Sequence, residues 1–248
     1  QYPEMLPPED GAQFSLSQST LKDMLAQTVF SVSKDQTRPI LTGVLFALEE
    51  GELQLVALSA NRMAIRREKV AAAESAQAVI AESSLRKIIG MLSDAAEEPV
   101  RIVLGRSAAH FEIGATRIHC MYLAGEFLKY KNIMPQDQTS TVIIDREMLL
   151  RALLRASSLS QETDKKFVRM GIGPDGIKLS ASSEIGYVDD MVPAELRGEP
   201  LEIAFNATFL TDILSRVSDD SLLMQCKGSE VAGIFRPMDG DAFYYLVA

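Results

Sequence analysis

The sequence predicts an α+β fold made of two similar domains, each with two helices packed on antiparallel sheet. Four segments of the 248-residue chain place apolar residues at the i, i+3, i+4, i+7 spacing of an amphipathic helix. Short apolar runs that are typical of strands stand before and after each of them. The second half of the chain repeats this order, about 125 residues after the first. Helices on one face of antiparallel sheet define a layered α+β domain.

Each predicted helix combines one apolar face with a capping side chain before it. The faces are Leu21, Met24, Leu25 and Thr28; Leu85, Ile88, Ile89 and Leu92; Leu149, Ala152, Leu153 and Ala156; and Leu210, Ile213, Leu214 and Val217. The candidate caps are Ser17, Ser83, Asp145 and Asn206. The third helix repeats the first, and the fourth repeats the second.

The strands repeat in the same way. A strand is predicted before each helix, at residues 14–16, 79–81, 142–144 and 203–205. Hairpins are predicted at 41–48 with 53–57 and at 168–172 with 177–181, each turning through a glycine. Further strands are predicted at 100–104, 110–113, 117–122, 222–226, 233–235 and 243–247. The repeats predict domains at 11–134 and 135–248.

The chain carries no recognisable catalytic motif. It lacks a Walker-type phosphate loop, a dinucleotide fingerprint, a His-Glu-x-x-His pair and a Gly-x-Ser-x-Gly elbow. Its two cysteines, Cys120 and Cys226, and its two histidines, His110 and His119, complete no zinc cluster. We therefore expect a protein that is not an enzyme and needs no metal or cofactor, with thiols that pack as small apolar groups.

Charge gives a mixed indication about nucleic acid. The net charge of −9 argues against a generic nucleic-acid binder, which attracts phosphates with Lys and Arg. The polar sides of the predicted helices are nevertheless more basic than this average. They carry Lys22, Arg86, Lys87, Arg146, Arg151, Arg155 and Arg216. Ordinary solvated helix faces carry such residues as well, so the pattern alone leaves both interpretations open.

Five segments, in order along the whole chain, resemble the bacterial DNA polymerase III beta subunit, the replication sliding clamp. They are TRPILTGVLF at 37–46, LVALSANRMA at 55–64, GEFLKYKNIMP at 125–135, IAFN at 203–206 and FYYLV at 243–247. The resemblance implies tandem DNA-clamp domains, the middle one at 11–134 and the C-terminal one at 135–248. Residues 1–10 would then be a linker from a first domain. Since the sequence begins at Gln1 and stops in an apolar run, we expect it to be a fragment.

The resemblance also implies a function. Members of this family form a head-to-tail homodimeric ring that encircles duplex DNA without reading its sequence, and they tether the polymerase as a processivity factor in DNA replication. The implied partners are double-stranded DNA, the catalytic subunit of DNA polymerase III, the clamp loader and other clamp-motif proteins. The implied location is the bacterial cytoplasm, at the nucleoid. The isolated fragment could be a monomer.

Partners of the family insert a short Gln-Leu-x-Leu-Phe-like peptide into an apolar groove between the second and third domains. The resemblance assigns to this groove Leu41, Leu58, Ala60, Asn61, Arg62, Met63, Leu128, Asn132, Ile133, Asn206, Phe209, Leu246 and Val247. Leu128-Lys129 stands where the family usually has Pro-Asp, and Ser59-Ala60-Asn61 where it has Asp-Ser/Gly-His. The pattern alone favours plain core residues at Leu41, Met63, Phe209 and Leu246, and the resemblance favours the groove instead.

Two interpretations therefore remain. The first is a sliding clamp whose bore is faced by Lys22, Arg86, Lys87, Arg151, Arg155 and Arg216, assigned from helix faces rather than from a family motif. The second is a two-domain protein-interaction scaffold without a DNA role. An enzyme whose site needs further segments is a third alternative that no residue here favours.

Overall fold

The computed structural model describes residues 10–94, 98–159, 167–183, 186–228 and 232–248. The chain divides into two units, residues 1–128 and 129–248. This division lies close to the boundary expected between residues 134 and 135, and the expected domain ranges stay predictions. Of the expected linker at 1–10, residues 1–9 lie outside the described part.

The first unit contains two helices and two antiparallel sheets. The helices are α1 (Gln18–Ala26) and α2 (Glu82–Met91). The strands are β1 (Ala12–Ser17), β2 (Gly43–Glu49), β3 (Glu52–Leu58), β4 (Arg62–Lys69), β5 (Ala76–Ala81), β6 (Pro99–Leu104), β7 (Ala108–Ile113) and β8 (Thr116–Met121). One sheet has the order β1-β6-β7-β8 and the other the order β5-β2-β3-β4.

One apolar core joins both sheets and both helices of this unit. Met24 of α1 and Leu85 of α2 are fully buried against inward residues of the strands. Phe46 of β2 meets Phe111 of β7 edge to face, with ring centroids 6.2 Å apart. Because each helix has one apolar face, burying that face leaves its opposite, polar face toward solvent.

The second unit repeats this plan. Its helices are α3 (Arg146–Leu159) and α4 (Ala207–Leu214). Its strands are β9 (Ser140–Asp145), β10 (Phe167–Gly173), β11 (Gly176–Ser183), β12 (Gly186–Val192), β13 (Ala194–Gly198), β14 (Leu201–Asn206), β15 (Ser221–Cys226), β16 (Gly233–Pro237) and β17 (Phe243–Val247). The sheet orders are β12-β11-β10-β14 and β13-β9-β15-β16-β17.

Close packing in this unit explains one of its glycines. The rings of Phe205 and Phe235 meet edge to face, with centroids 6.4 Å apart. A Cβ at Gly233 would stand only 2.6 Å from the Phe205 Cζ atom. Glycine at this strand position therefore lets the aromatic ring approach the backbone.

Most predicted elements are confirmed, including the α+β class and three caps. The side chains of Ser17 and Asn206 accept hydrogen bonds from the first turns of α1 and α4, and Asp145 Oδ1 accepts from the Met148 N–H at 2.8 Å. The Ser83 cap is wrong, since α2 already begins at Glu82 after Ala81. Residues 41 and 42 belong to a 3₁₀ turn, Pro39–Thr42, rather than to a strand, because Pro39 favours helical φ at its start.

Both cysteines lie in the core. Cys120 is 4% exposed and Cys226 is fully buried. Burial raises the pKa of the Cys226 thiol to about 12 and also raises the pKa of Cys120. These thiols pack as small apolar groups, as expected. In the described part of the chain, no helix is both long enough and apolar enough to span a membrane.

Glu82, in the first turn of α2, links the helix to the chain around it. Its carboxylate accepts hydrogen bonds from Lys34 Nζ at 2.9 Å and from Arg86 Nε at 2.8 Å. Burial raises the pKa of Glu82, but these two hydrogen bonds outweigh burial, so that the pKa lies below its ordinary value of 4.5. A carboxylate at a helix N-terminus also interacts favourably with the helix dipole.

We expect Glu82→Gln to lower the free energy of unfolding at pH 7 by about 0.5–1 kcal/mol. Because the folded-state pKa is lowered, this contribution is present above the pKa of the unfolded state and is lost as the pH falls through the folded-state value. Denaturant unfolding of both proteins at pH 7 and at about pH 2.5 measures it. Glu74→Gln, at an exposed site without an ion pair among the described residues, is the control. An equal difference at both pH values would contradict the prediction.

Candidate functional site

In the first unit, three of the expected groove residues are buried, and two of them flank the connection between β3 and β4. Leu58 ends β3 and Met63 lies in β4, and the two are register partners. Leu41 lies in the 3₁₀ turn, where its carbonyl accepts a hydrogen bond from the Ser33 N–H at 2.9 Å. Their exposures are 4% for Leu58, 3% for Met63 and 7% for Leu41. Leu58 and Met63 thus place buried apolar side chains at the two ends of the connection.

Arg62 fixes the shape of this connection. Its guanidinium donates a hydrogen bond to the Phe30 carbonyl and lies over the Phe30 ring, 5.4 Å from the centroid. Its own carbonyl accepts from the Ser59 N–H at 2.9 Å, which closes the turn between the strands. Arg62 thus ties β4 to the short 3₁₀ helix Val29–Ser31 after α1.

The tight turn presents small and polar side chains to solvent. Ala60 and Asn61 are exposed at its tip, and Leu128 is 44% exposed at the end of the unit. The exposed Leu128 side chain offers apolar surface to a ligand. Phe30 is a residue that sequence analysis missed, because its role depends on a contact with Arg62 from 32 positions away along the chain.

In the second unit, Asn132 and Ile133 project from a 3₁₀ helix, Tyr130–Ile133. Tyr130 is buried and holds this short helix in place, whereas Ile133 is 53% exposed. The Asn132 N–H donates to the Lys129 carbonyl at 3.0 Å, which closes the turn. The same short helix therefore has one buried anchor and one accessible apolar side chain.

The remaining expected residues belong to α4 and β17. Asn206 caps α4, with Oδ1 accepting from the Thr208 N–H at 2.9 Å. Phe209 in α4 and Leu246 in β17 are half-buried, so that part of each side chain is accessible. Val247 is fully buried and is the register partner of Gly233. Asn206 thus has a structural role at the N-terminal end of α4, close in sequence to Phe209.

Most of the basic residues expected to face DNA are engaged in ion pairs. The pairs within the first unit are Lys22–Asp94 at 2.6 Å and Arg86–Glu82 at 2.6 Å. In the second unit they are Arg151–Glu147 at 2.7 Å, Arg155–Asp190 and Arg216–Asp212 at 3.2 Å. Lys87 is exposed and has no ion-pair partner among the described residues. Exposed pairs are worth about 0–1 kcal/mol each, so phosphates can compete for these cations.

The described residues hold no group of three or more His, Cys, Asp and Glu side chains placed to bind a metal ion. Among the expected groove residues, the exposed apolar side chains are Leu128 and Ile133, and the exposed polar ones include Asn61 and Asn132.

Comparison with known proteins identifies the family. The family model for the DNA polymerase III beta subunit, central domain, matches residues 15–129, and the model for its C-terminal domain matches residues 131–248. The chain belongs to the DNA polymerase III beta subunit family. The "Beta sliding clamp" of Staphylococcus aureus is 29% identical over 250 residues, which cover 100% of this chain and 66% of that protein.

Two further members of the beta subunit family agree with this assignment. The "Beta sliding clamp" of Halalkalibacterium halodurans is 30% identical over 253 residues, covering 99% of this chain and 66% of the relative. The crystal structure of the DNA polymerase sliding clamp from Bacillus subtilis superposes with a TM-score of 0.95 at 28% identity, covering 100% of this chain and 66% of that chain. The chain thus spans 66% of the length of these relatives.

Proposed function

We propose that this chain forms the middle and C-terminal domains of a sliding clamp, a ring that encircles duplex DNA and tethers polymerase during replication. The observation that carries the proposal is the ordered match of the two beta subunit domains along the chain. The fold similarity to a bacterial sliding clamp, with a TM-score of 0.95, supports it. In this role the protein is an accessory subunit rather than an enzyme, and it acts in the bacterial cytoplasm at the nucleoid.

We propose that the expected groove residues of both units bind the same short apolar peptide. Leu41, Leu58 and Met63 supply an apolar base, and the tip of the turn at Ala60 and Asn61 supplies the polar rim. Ile133 and Leu246 supply accessible apolar surface from the second unit. Burying one aliphatic anchor contributes about 1.5–3 kcal/mol, and association costs offset much of the sum. Affinity should therefore be about micromolar, which suits partners that exchange.

Titrating the chain with a Gln-Leu-x-Leu-Phe-type peptide by calorimetry tests this site. We expect Ile133→Asp and Leu246→Asp each to weaken binding at least about tenfold, because a carboxylate replaces apolar contact surface. Leu154→Asp is the control. Leu154 lies in α3, outside the proposed groove residues, and its exposure of 53% equals that of Ile133, so this variant should bind the peptide normally.

The Asn206 cap allows a second arm of the same titration. Asn206→Asp keeps an oxygen acceptor for the Thr208 N–H, whereas Asn206→Ala removes it at a cost of about 1 kcal/mol in stability. If the Asn206 amide donates to the peptide, both variants weaken binding although only the alanine variant is destabilised.

Normal peptide affinity in Ile133→Asp and Leu246→Asp would refute the proposed groove.

DNA retention in this proposal is topological, which fits an acidic protein. A closed ring needs no tight phosphate contacts, and strong contacts would slow sliding. Helix α3 carries three arginines and one glutamate in a chain of net charge −9, so it supports a weak local attraction for the duplex. Such an attraction is independent of sequence and falls with salt.

Ring closure requires association with a second copy, and β12 supports that part of the proposal. It is an edge strand of the sheet β12-β11-β10-β14, and within the described residues it pairs only with β11. Tyr187 in β12 is 79% exposed and Phe167 in β10 is 53% exposed. An open edge beside exposed aromatic side chains is suited to pairing with another chain.

Charge reversal on α3 tests whether Arg151 and Arg155 face the duplex. The ion pairs of these arginines favour the alternative, a scaffold without a DNA role. In the full-length protein that carries this sequence, Arg151→Glu with Arg155→Glu should shorten retention on circular DNA at moderate salt, because two phosphate-attracting charges are inverted. Arg169→Glu, on β10 rather than on a helix, is the control. Unchanged retention in the double variant would remove both arginines from the DNA-facing surface.

A further inference from the structure

The two histidines of the sequence lie opposite each other on neighbouring strands. His110 in β7 and His119 in β8 are register partners, with ring centroids 4.4 Å apart and ring planes at 78°. Both lie on the outer face of the sheet, since the residues that alternate with them, Ala109, Phe111 and Cys120, are buried in the core. The sheet thus brings both imidazoles of the chain to one surface site.

Met121 adds a third donor to this pair. It lies two residues after His119, and its side chain is therefore on the same face of β8. Its sulfur is 3.3 Å from Nε2 of His119, although Met121 is 63% exposed and free to turn elsewhere. His119 therefore has the second imidazole on one side and the thioether sulfur within 3.3 Å of its Nε2 atom.

The distances suit a shared metal ion. Imidazole nitrogens bind metals at about 2.0–2.1 Å, so two nitrogens on one tetrahedral ion lie about 3.4 Å apart. Rings with centroids 4.4 Å apart reach that separation by side-chain rotation, which is soft at the terminal torsion of histidine. Both histidines line a depression of about 30 Å³, together with Arg101, Glu112 and Arg117.

The donor set and the local charge select the class of ion. Thioether sulfur is a soft ligand that favours Cu(I), and neutral imidazole accompanies it well. The neighbouring charged side chains are Arg101, Arg117 and Glu112. Arg101 donates a hydrogen bond to Gln13 Oε1 at 2.8 Å, and Arg117 Nε lies 3.6 Å from Glu112 Oε1. Two guanidinium groups and one carboxylate repel a divalent ion more strongly than a monovalent one.

We propose that His110, His119 and Met121 form a binding site for one soft monovalent metal ion of the Cu(I) class. Cys120 takes no part, because its thiol is buried on the opposite face of β8. The site lies on the sheet β1-β6-β7-β8 and shares no residue with the proposed peptide-binding set, so it stands independently of the clamp function.

Silver ion is the probe, because Ag(I) has the same charge and softness as Cu(I) and does not undergo redox cycling. Titration of the chain in buffer free of chloride and thiols is followed by NMR of the imidazole nitrogens and the methionine methyl groups. The sequence has two histidines, so the imidazole signals that disappear in His119→Gln belong to His119 and the others to His110. We expect both imidazoles and the Met121 methyl group to shift together and to saturate at one ion per chain.

Variants assign the ligands. His119→Gln should weaken Ag(I) binding at least about tenfold, and Met121→Leu, which conserves volume, should weaken it while leaving the unfolding midpoint unchanged. Met91→Leu, at a 53% exposed position on α2, should bind as the unaltered chain does, as should the double variant Cys120→Ala with Cys226→Ala. Shifts at one histidine only, unchanged affinity in His119→Gln, or loss of binding in the cysteine variant would overturn the site.

Discussion

Burial of one apolar face on each helix is the constraint on which the rest of the structure depends. In the first unit, Met24 of α1 and Leu85 of α2 are buried in a core shared by two sheets. In the second unit, Leu149 of α3 and Leu210 of α4 are buried in the same way. Each helix must then turn its polar face outward, where Arg86, Lys87, Arg151 and Arg155 lie. The candidate DNA-facing surface is therefore a consequence of core packing. Intramolecular ion pairs moderate its charge, which suits a surface that should attract DNA weakly.

The candidate peptide-binding residues depend on a second constraint, the anchoring of short irregular segments. Arg62 joins the turn after β3 to the segment around Phe30, and Tyr130 anchors the 3₁₀ helix that carries Ile133. Ordering a mobile segment when a ligand binds reduces affinity, and a segment that is already fixed avoids this loss. These anchors supply a preorganised backbone, so that less conformational entropy is lost when a peptide binds.

The sequence predicted what depends on periodicity and missed what depends on tertiary contact. Most of each helix face, three caps and the hairpin turns follow from local spacing, and the structure confirms them. Thr28, Leu92 and Val217 are wrong as helical residues: they are buried, but beyond the ends of α1, α2 and α4. Strands β4, β12 and β13 were missed because charged residues such as Arg66 and Asp190 interrupt their alternation. Arg66 pairs with Glu68 along β4, and Asp190 pairs with Arg155 of α3. The contact between Arg62 and Phe30 and the facing of His110 and His119 depend on register, which no local pattern fixes. Recognition of the groove residues rested on family resemblance.

The most direct test of the central claim is to cut the DNA. The full-length protein that carries this sequence would be loaded onto a nicked circular duplex, and the protein retained on the DNA would be measured before and after a restriction enzyme opens the circle. A ring that holds DNA topologically stays on the circle through a salt wash and slides off once ends exist. Equal retention on circular and linear DNA, or loss from both, would contradict the clamp and favour a scaffold that binds proteins alone.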